Sequence, residues 1–153
     1  MVESVKKKVL ALSSGGGHWV QLLRVREAFS EHEVVFACTS ASYASQVPGH
    51  GFHAIPDATR WNKLALLGLA ARILLIILRE RPSVIISTGA APGYLALRIG
   101  KLLGAKTIWL DSVANASELS LSGRKIGPHA DLWLTQWEHL ARPDGPDFRG
   151  AVL

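Results

Sequence analysis

The chain has 153 residues, of which 48% are hydrophobic and 19% are charged, and its formal net charge at pH 7 is +5. These totals are typical of one domain with a buried core, so we predict a single domain spanning residues 1–153. One cysteine excludes a disulfide framework and a multi-cysteine metal site, and Cys38 in "VVFACTS" is expected to be a small buried hydrophobe. The positive charge indicates an anionic partner without choosing between phosphate, nucleic acid and an acidic membrane.

Strand-like and helix-like segments alternate along the chain. The N-terminal "MVESVKKKVLALSS" has only a short apolar run, which favours a first strand over a signal sequence. The patterns predict strands at 8–14, 33–40, 52–55, 83–89, 106–112 and 130–136, and helices at 19–31, 62–81 and 92–103. Apolar, β-branched strands indicate burial on both faces, as in a parallel sheet. The prediction is an α/β fold with a Rossmann-like, doubly wound parallel sheet.

The C-terminal tail "RPDGPDFRGAVL" differs from this pattern. Its proline, glycine and aspartate residues interrupt regular structure, and its last residues are typical of a strand that stops abruptly. We expect a second domain to begin about where the chain ends.

The longest apolar segment, Leu64 to Leu78, has two interpretations. It is shorter than the roughly 20 residues that span a bilayer and carries Arg72 in its middle, which argues against a transmembrane helix. Four cations flank it: Arg60, Lys63, Arg79 and Arg81. These cations suit a helix at a membrane interface, whereas a buried core helix explains the same apolar residues. Both interpretations stay open.

The loop "SSGGGHW" follows the first strand. One glycine suffices for a turn, so Gly15, Gly16 and Gly17 are expected to bring bare amides against a ligand, and the next helix favours an anion. A dinucleotide-binding motif fails because Val20 stands where its third glycine belongs and the second strand ends without an acidic residue. NAD is therefore disfavoured, and a tight turn without a ligand is the remaining alternative.

His18 follows these glycines and is a candidate for two roles. Its ordinary pKa near neutrality suits a proton acceptor, and its ring can donate to a phosphate. A helix N-terminus disfavours the protonated form, so neutral hydrogen bonding is favoured over charge pairing. A surface or capping histidine is the alternative.

Two further loops follow later strands. "STGAAPGYLAL" brings Gly89 and Gly93 to a strand end, and "IWLDSVANASELSLSGRKIGPHAD" places Asp111 and Ser112 directly after a strand. The carboxylate is positioned to orient a hydroxyl or accept a proton, although capping of the next helix is the commoner role. Because carboxyl ends of parallel strands share one edge, we expect all three loops to lie together.

Four segments in this order closely resemble one family: "SSGGGHW", "STGAAPGYLAL", "LDSVANASELSLSGR" and "ADLWLTQWEHLA". The family is the N-terminal, acceptor-side half of GT-B glycosyltransferases of the two-chain type. It includes bacterial exopolysaccharide glycosyltransferase subunits and the membrane-associated subunit of the N-acetylglucosaminyltransferase of N-glycan precursor assembly. The resemblance implies a Rossmann-like half that binds a polyprenyl-diphosphate-linked sugar acceptor, while a separate donor-binding chain supplies most of the UDP-sugar site.

The resemblance also implies site residues. His18 and Asp111 are the catalytic candidates. The general base is either one of them or a residue of the partner chain. The expected substrate-binding residues are Gly15, Gly16, Gly17, Thr88, Gly89, Gly93, Ser112, Asn115, Ser122, Gly123 and Arg124. The chain departs from the family's "ESFAR" pattern, because Asp111 replaces its Glu and Asn115 its Arg. Trp137 and Glu138 resemble a segment near the junction between halves.

The same resemblance sets expectations for cofactors and surroundings. No cofactor is expected for this half alone, and a divalent cation in the full complex is left open. The expected location is cytoplasmic, with peripheral contact at the inner face of the plasma membrane. A non-catalytic scaffold that recruits the donor-binding chain is the alternative function. A nucleic-acid-binding module ranks below both, because the cations are scattered without interleaved aromatic residues.

Overall fold

The structure, a computed structural model, describes residues 5–59 and 61–152. Seven strands form one sheet in the order β3-β2-β1-β4-β5-β6-β7, and every neighbouring pair is parallel. The strands are β1 (Lys8–Ser13), β2 (Glu33–Cys38), β3 (Gly51–Ala54), β4 (Val84–Ser87), β5 (Lys106–Leu110), β6 (Leu132–Thr135) and β7 (Asp147–Phe148). The α-helices are α1 (Gly17–Val25), α2 (Lys63–Glu80), α3 (Ala90–Leu102) and α4 (Leu121–Ile126).

Apolar layers cover both faces of this sheet. Successive residues of a strand point to opposite faces, so β1 sends Val9 and Ala11 to one layer and Leu10 and Leu12 to the other. The first layer contains Trp19 and Leu22 of α1, and the second contains the buried sides of α2 and α3. This arrangement confirms the predicted doubly wound, Rossmann-like α/β fold.

Cys38 is fully buried at the end of β2. Burial raises the pKa of its thiol above the ordinary value, although hydrogen bonds from Ser40, Thr39 and Ser13 oppose the shift. The prediction of a small buried hydrophobe is confirmed.

Each interpretation of the long apolar segment describes one side of helix α2, because one side is buried and the other is exposed. Leu69, Ile73, Ile76 and Ile77 are buried against the sheet. The opposite side exposes Leu64, Leu67, Leu75 and Leu78, each by more than half of its surface. Arg60, one of the flanking cations, lies outside the described residues. No helix in the described ranges is both long and apolar enough to cross a bilayer.

Three predictions about secondary-structure elements were wrong. The segment treated as a long third loop contains helix α4, which begins after its N-cap Ser120. Six residues are too few to show a helical period in the sequence. In the tail, the strand is β7, which pairs with β6, and the described residues after it, 149–152, are not in a strand. Helix α1 ends at Val25 and continues only as a 3₁₀ turn, Arg26–Phe29.

Candidate functional site

The three loops that the sequence singled out lie side by side. Strands β1, β4 and β5 are consecutive in the sheet, so their carboxyl ends place residues 14–16, 88–89 and 111–120 along one edge. The sheet order reverses between β1 and β4, which is the place where α/β sheets open a crevice for ligands.

His18 and Thr88 join the first two loops. The His18 Nδ1 lies 3.1 Å from the carbonyl oxygen of Thr88, and the Thr88 hydroxyl donates to the carbonyl oxygen of His18 at 2.6 Å. A carbonyl oxygen only accepts, so Nδ1 carries the proton and Nε2 of the neutral ring keeps its lone pair. The contact with Thr88 therefore favours the tautomer of the half-buried imidazole in which Nδ1 is the donor and Nε2 the acceptor.

Gly89 makes this arrangement possible. Its φ of +150° favours glycine, and a Cβ at this position would collide with the His18 ring. Gly93 has a different role, because a Cβ there would meet Ser87 and the ring of Trp109. Gly93 therefore lets α3 pack closely on the sheet.

The expectation that the glycine amides are bare was wrong for two of the three. The amide of Gly15 donates to the Thr39 hydroxyl and that of Gly16 to the Tyr43 hydroxyl, both at 3.1 Å. Among the described residues, none pairs with the amides of the first three residues of α1, which are Gly17, His18 and Trp19. The open donors thus begin at Gly17, the last of the three predicted glycines, and continue into the helix N-terminus.

A fourth segment, residues 39–46, completes the wall of the site beside the glycine-rich loop. Tyr43 stacks on the buried ring of Trp19 with centroids 5.1 Å apart, and the Trp19 indole donates to Gln46 at 3.1 Å. Sequence reasoning missed this segment, although it follows strand β2. The available indication was that the segment follows a strand. The pairing of β2 with β1 shows that this strand end lies beside the glycine-rich loop.

Asp111 is held inside the molecule. Its side chain is 1% exposed. One carboxylate oxygen accepts from the Trp109 indole at 3.0 Å and the Ser120 hydroxyl at 2.5 Å; the other accepts from the Ser120 amide at 3.0 Å and Asn115 Nδ2 at 3.3 Å. The carboxylate therefore shapes the third loop and holds the N-cap of α4. Its catalytic role stays a prediction, and this geometry favours the structural alternative.

A buried amide network lies beneath these loops. Gln21 of α1 donates to the Ser112 hydroxyl at 3.0 Å and accepts from the Val113 amide at 3.1 Å and from Gln136 at 2.6 Å. The Trp137 indole donates to the carbonyl oxygen of Val113 at 2.7 Å. Two glutamines far apart in the chain form no motif, which is why this network could not be predicted from the sequence. It fixes the third loop relative to helix α1.

The remaining predicted residues belong to α4. Gly123 lies against Asp111, where a Cβ would collide with the carboxylate, so internal packing accounts for this glycine. Arg124 is exposed and lies 3.9 Å from Glu118, and no described contact joins Arg124 or Ser122 to the first two loops. Within residues 5–59 and 61–152, no group of three or more His, Cys, Asp or Glu side chains is placed to hold a metal ion.

The fold, with its paired glycine-rich loops at one edge of the sheet, is similar to the Rossmann-like half of GT-B glycosyltransferases. MurG of Acinetobacter baumannii superimposes with a TM-score of 0.74 at 12% sequence identity, over 92% of this chain and 44% of that one. A UDP-N-acetylglucosamine 2-epimerase from Rickettsia bellii gives 0.66 at 16% identity, over 88% and 40%. These similarities show the fold.

Sequence similarity is more specific. The chain resembles the "UDP-N-acetylglucosamine transferase subunit ALG14" of Candida albicans, with 39% identity over 70 residues, covering 42% of this chain and 32% of that protein. The Yarrowia lipolytica subunit of the same name is 23% identical over 146 residues, covering 92% and 64%. The resemblance to two-chain GT-B glycosyltransferases is confirmed.

The matches cover less than two thirds of either relative's length. No family model matches the chain.

Proposed function

We propose that this chain is the acceptor-side subunit of a UDP-sugar-dependent glycosyltransferase that works with a separate donor-binding chain. The reaction belongs to lipid-linked glycan assembly, and the acceptor is a sugar on a polyprenyl diphosphate. The observation that carries the proposal is the pair of glycine-rich loops joined through His18 and Thr88 at the edge of a GT-B half. Similarity to a UDP-N-acetylglucosamine transferase subunit supports the choice of donor class.

The chemistry requires a base and a site for negative charge. The acceptor hydroxyl loses a proton as its oxygen attacks the anomeric carbon of the donor, and UDP departs with its charge stabilised. His18 Nε2 has the lone pair and the placement to take that proton. The amides of Gly17, His18 and Trp19, which have no partner among the described residues, would bind the acceptor's diphosphate. Asp111 contributes by holding the third loop in shape.

The outer side of α2 suits peripheral contact with a membrane at its cytoplasmic face. Exposed leucines lie on the same helix as the cations Lys63, Arg72 and Arg79. Apolar side chains that enter the interface and cations that meet lipid phosphates are the features of an interfacial helix. Such contact brings the subunit to an acceptor that is itself anchored in the bilayer.

The proposal is tested by reconstituting the chain with a donor-binding GT-B subunit on vesicles that carry a polyprenyl-diphosphate-linked sugar. UDP release is measured with a panel of UDP-sugars for the wild type, His18→Ala and Asp111→Asn. Replacement of the base is expected to lower turnover by about 10²- to 10⁴-fold. Asp111→Asn is expected to lower stability more than it lowers turnover per folded molecule.

A non-catalytic scaffold is the second candidate. Its support is that Asp111 and the Gly15 and Gly16 amides are engaged within the chain itself. Full turnover by the reconstituted His18→Ala complex would favour the scaffold. No turnover by the wild-type complex with any UDP-sugar, despite a stable association of the two chains, would do so as well.

A further inference from the structure

The hydroxyl of Tyr43 lies at the mouth of the glycine-rich loop. It accepts the hydrogen bond from the Gly16 amide at 3.1 Å, in an exposed part of the structure. A hydroxyl that accepts a hydrogen bond keeps its own proton, so Tyr43 retains one O–H donor. Because this bond lies at the surface, the remaining donor is accessible to a ligand.

The Tyr43 ring is fixed in this place. It stacks on the Trp19 ring, with the ring centroids 5.1 Å apart and an interplanar angle of 25°. Trp19 is itself held by the hydrogen bond from its indole to Gln46. A Cβ at Gly15 would lie 3.2 Å from the edge of the Tyr43 ring, so the absence of a side chain there makes room for the ring. The hydroxyl engages the Gly16 amide, so an incoming oxygen meets the Tyr43 O–H group instead of that amide.

We propose that Tyr43 is an acceptor-binding residue whose hydroxyl accepts from the Gly16 amide and donates its own proton to an anionic oxygen of the acceptor's diphosphate. The inference rests on the proposed function, which supplies the diphosphate. Accepting from an amide polarises the O–H group and strengthens it as a donor. The hydroxyl thus extends the set of donors formed by the open amides of α1.

The test compares Tyr43→Phe with Ser42→Ala, which removes a hydroxyl from the same exposed segment without touching the glycine-rich loop. The probes are inorganic pyrophosphate and farnesyl diphosphate, titrated into the purified chain by calorimetry and by NMR of the glycine amides. Tyr43→Phe is expected to weaken both probes by about tenfold or more, because the lost hydrogen bond goes to a charged oxygen. Ser42→Ala is expected to bind as the wild type does.

Two results separate the possible failures. Equal or tighter binding by Tyr43→Phe, with normal binding by the wild type, overturns the role of Tyr43 and leaves the proposed function standing. Absence of binding and of glycine amide shifts in the wild type overturns the proposed acceptor role, and the role of Tyr43 with it.

A second variant keeps the test independent of the folding of Tyr43→Phe. Gly15→Ala pushes the ring away from the loop, so it is expected to weaken the probes in the same direction. The Gly15→Ala, Tyr43→Phe double variant is expected to bind no more weakly than Tyr43→Phe, because both changes act through one hydroxyl. Additive losses would overturn the inference.

Discussion

The side chains next to three glycines of the candidate site account for the absence of a side chain at those positions. Gly15 lies beside the edge of the Tyr43 ring, Gly89 lies against the His18 ring and Gly123 lies against the Asp111 carboxylate. In each case a Cβ would meet a side chain that shapes the site. The glycines therefore act by letting polar side chains approach the backbone, in addition to any approach of a ligand.

Gly89→Ala is expected to displace the His18 imidazole and break its bond to Thr88. Because the ring then loses its fixed tautomer and position, turnover of the reconstituted complex is expected to fall by about 10²-fold or more. UDP release measures turnover, and the ¹⁵N shifts of the His18 ring report the tautomer.

Gly68→Ala is the matched control for this substitution. Gly68 lies on the exposed side of α2 with open space around its Cβ position, so alanine is expected to stabilise the helix by about 0.5–1 kcal/mol and to leave the His18 tautomer unchanged. An unchanged His18 tautomer in Gly89→Ala would contradict the expected steric role of Gly89.

At the scale of elements, a charged cluster fixes helix α2 to the edge of the sheet. His53 on β3 lies 2.8 Å from Glu80 in the last turn of α2, and Lys8 on β1 lies 3.2 Å from the same carboxylate. The hydrogen bond from His53 is the largest cause that lowers the pKa of Glu80 below its ordinary 4.5, with Lys8 adding to the shift against desolvation. Strand β3 has no outer neighbour among the described strands, so this cluster and α2 secure it.

The lowered pKa of Glu80 predicts a dependence of stability on pH. A carboxyl whose pKa is lower in the folded state contributes stability that is full above its unfolded pKa and is lost as pH falls through the folded one. Glu80→Gln is therefore expected to cost about 1 kcal/mol of unfolding free energy at pH 7 and progressively less below pH 4.5. Urea unfolding at pH 7 and at pH 3 measures both; an equal cost at the two pH values would contradict the prediction.

At the scale of the whole molecule, the helices that cover one side of the sheet, α2 and α3, expose apolar side chains on their outer surface. The exposed leucines of α2 are joined by Leu102 and Leu103 at the end of α3, which packs beside α2. Cations of the same two helices include Arg72, Arg98 and Lys101. This combination of apolar surface and positive charge belongs to the molecule rather than to one element, because it requires both helices on one side of the sheet.

The double variant Leu67→Ser, Leu75→Ser is expected to bind vesicles containing anionic lipid at least tenfold more weakly than the wild type. Burial of each leucine in the interface contributes about 1.5–3 kcal/mol, and both side chains are more than 60% exposed in the free protein. Thermal unfolding is expected to change little. Co-sedimentation with vesicles measures binding, with Val5→Ser as an exposed apolar control. Binding equal to wild type would place membrane contact elsewhere.

Much of the fold is readable from local pattern. The prediction of a helix over 62–81 matches α2 to within a residue at each end, because Asn62 caps its start, Pro82 follows its end and the apolar period is long. Helix α4 and strand β7 were missed. Helix α4 has six residues and strand β7 has two, which is too few to show a periodic pattern. The Asp111–Ser120 bonds stabilise α4, and pairing with β6 stabilises β7.

By itself, the sequence determined the α/β class, the parallel sheet and the meeting of three loops at one edge, because strand polarity and strand-end position are properties of the chain pattern. Only the tertiary structure decided what each group faces. It placed Thr39 and Tyr43 on the glycine amides, enclosed Asp111 and exposed half of α2. Contacts such as Gly15–Thr39 and Gln21–Gln136 join residues 24 and 115 positions apart, and no local pattern encodes which of them form.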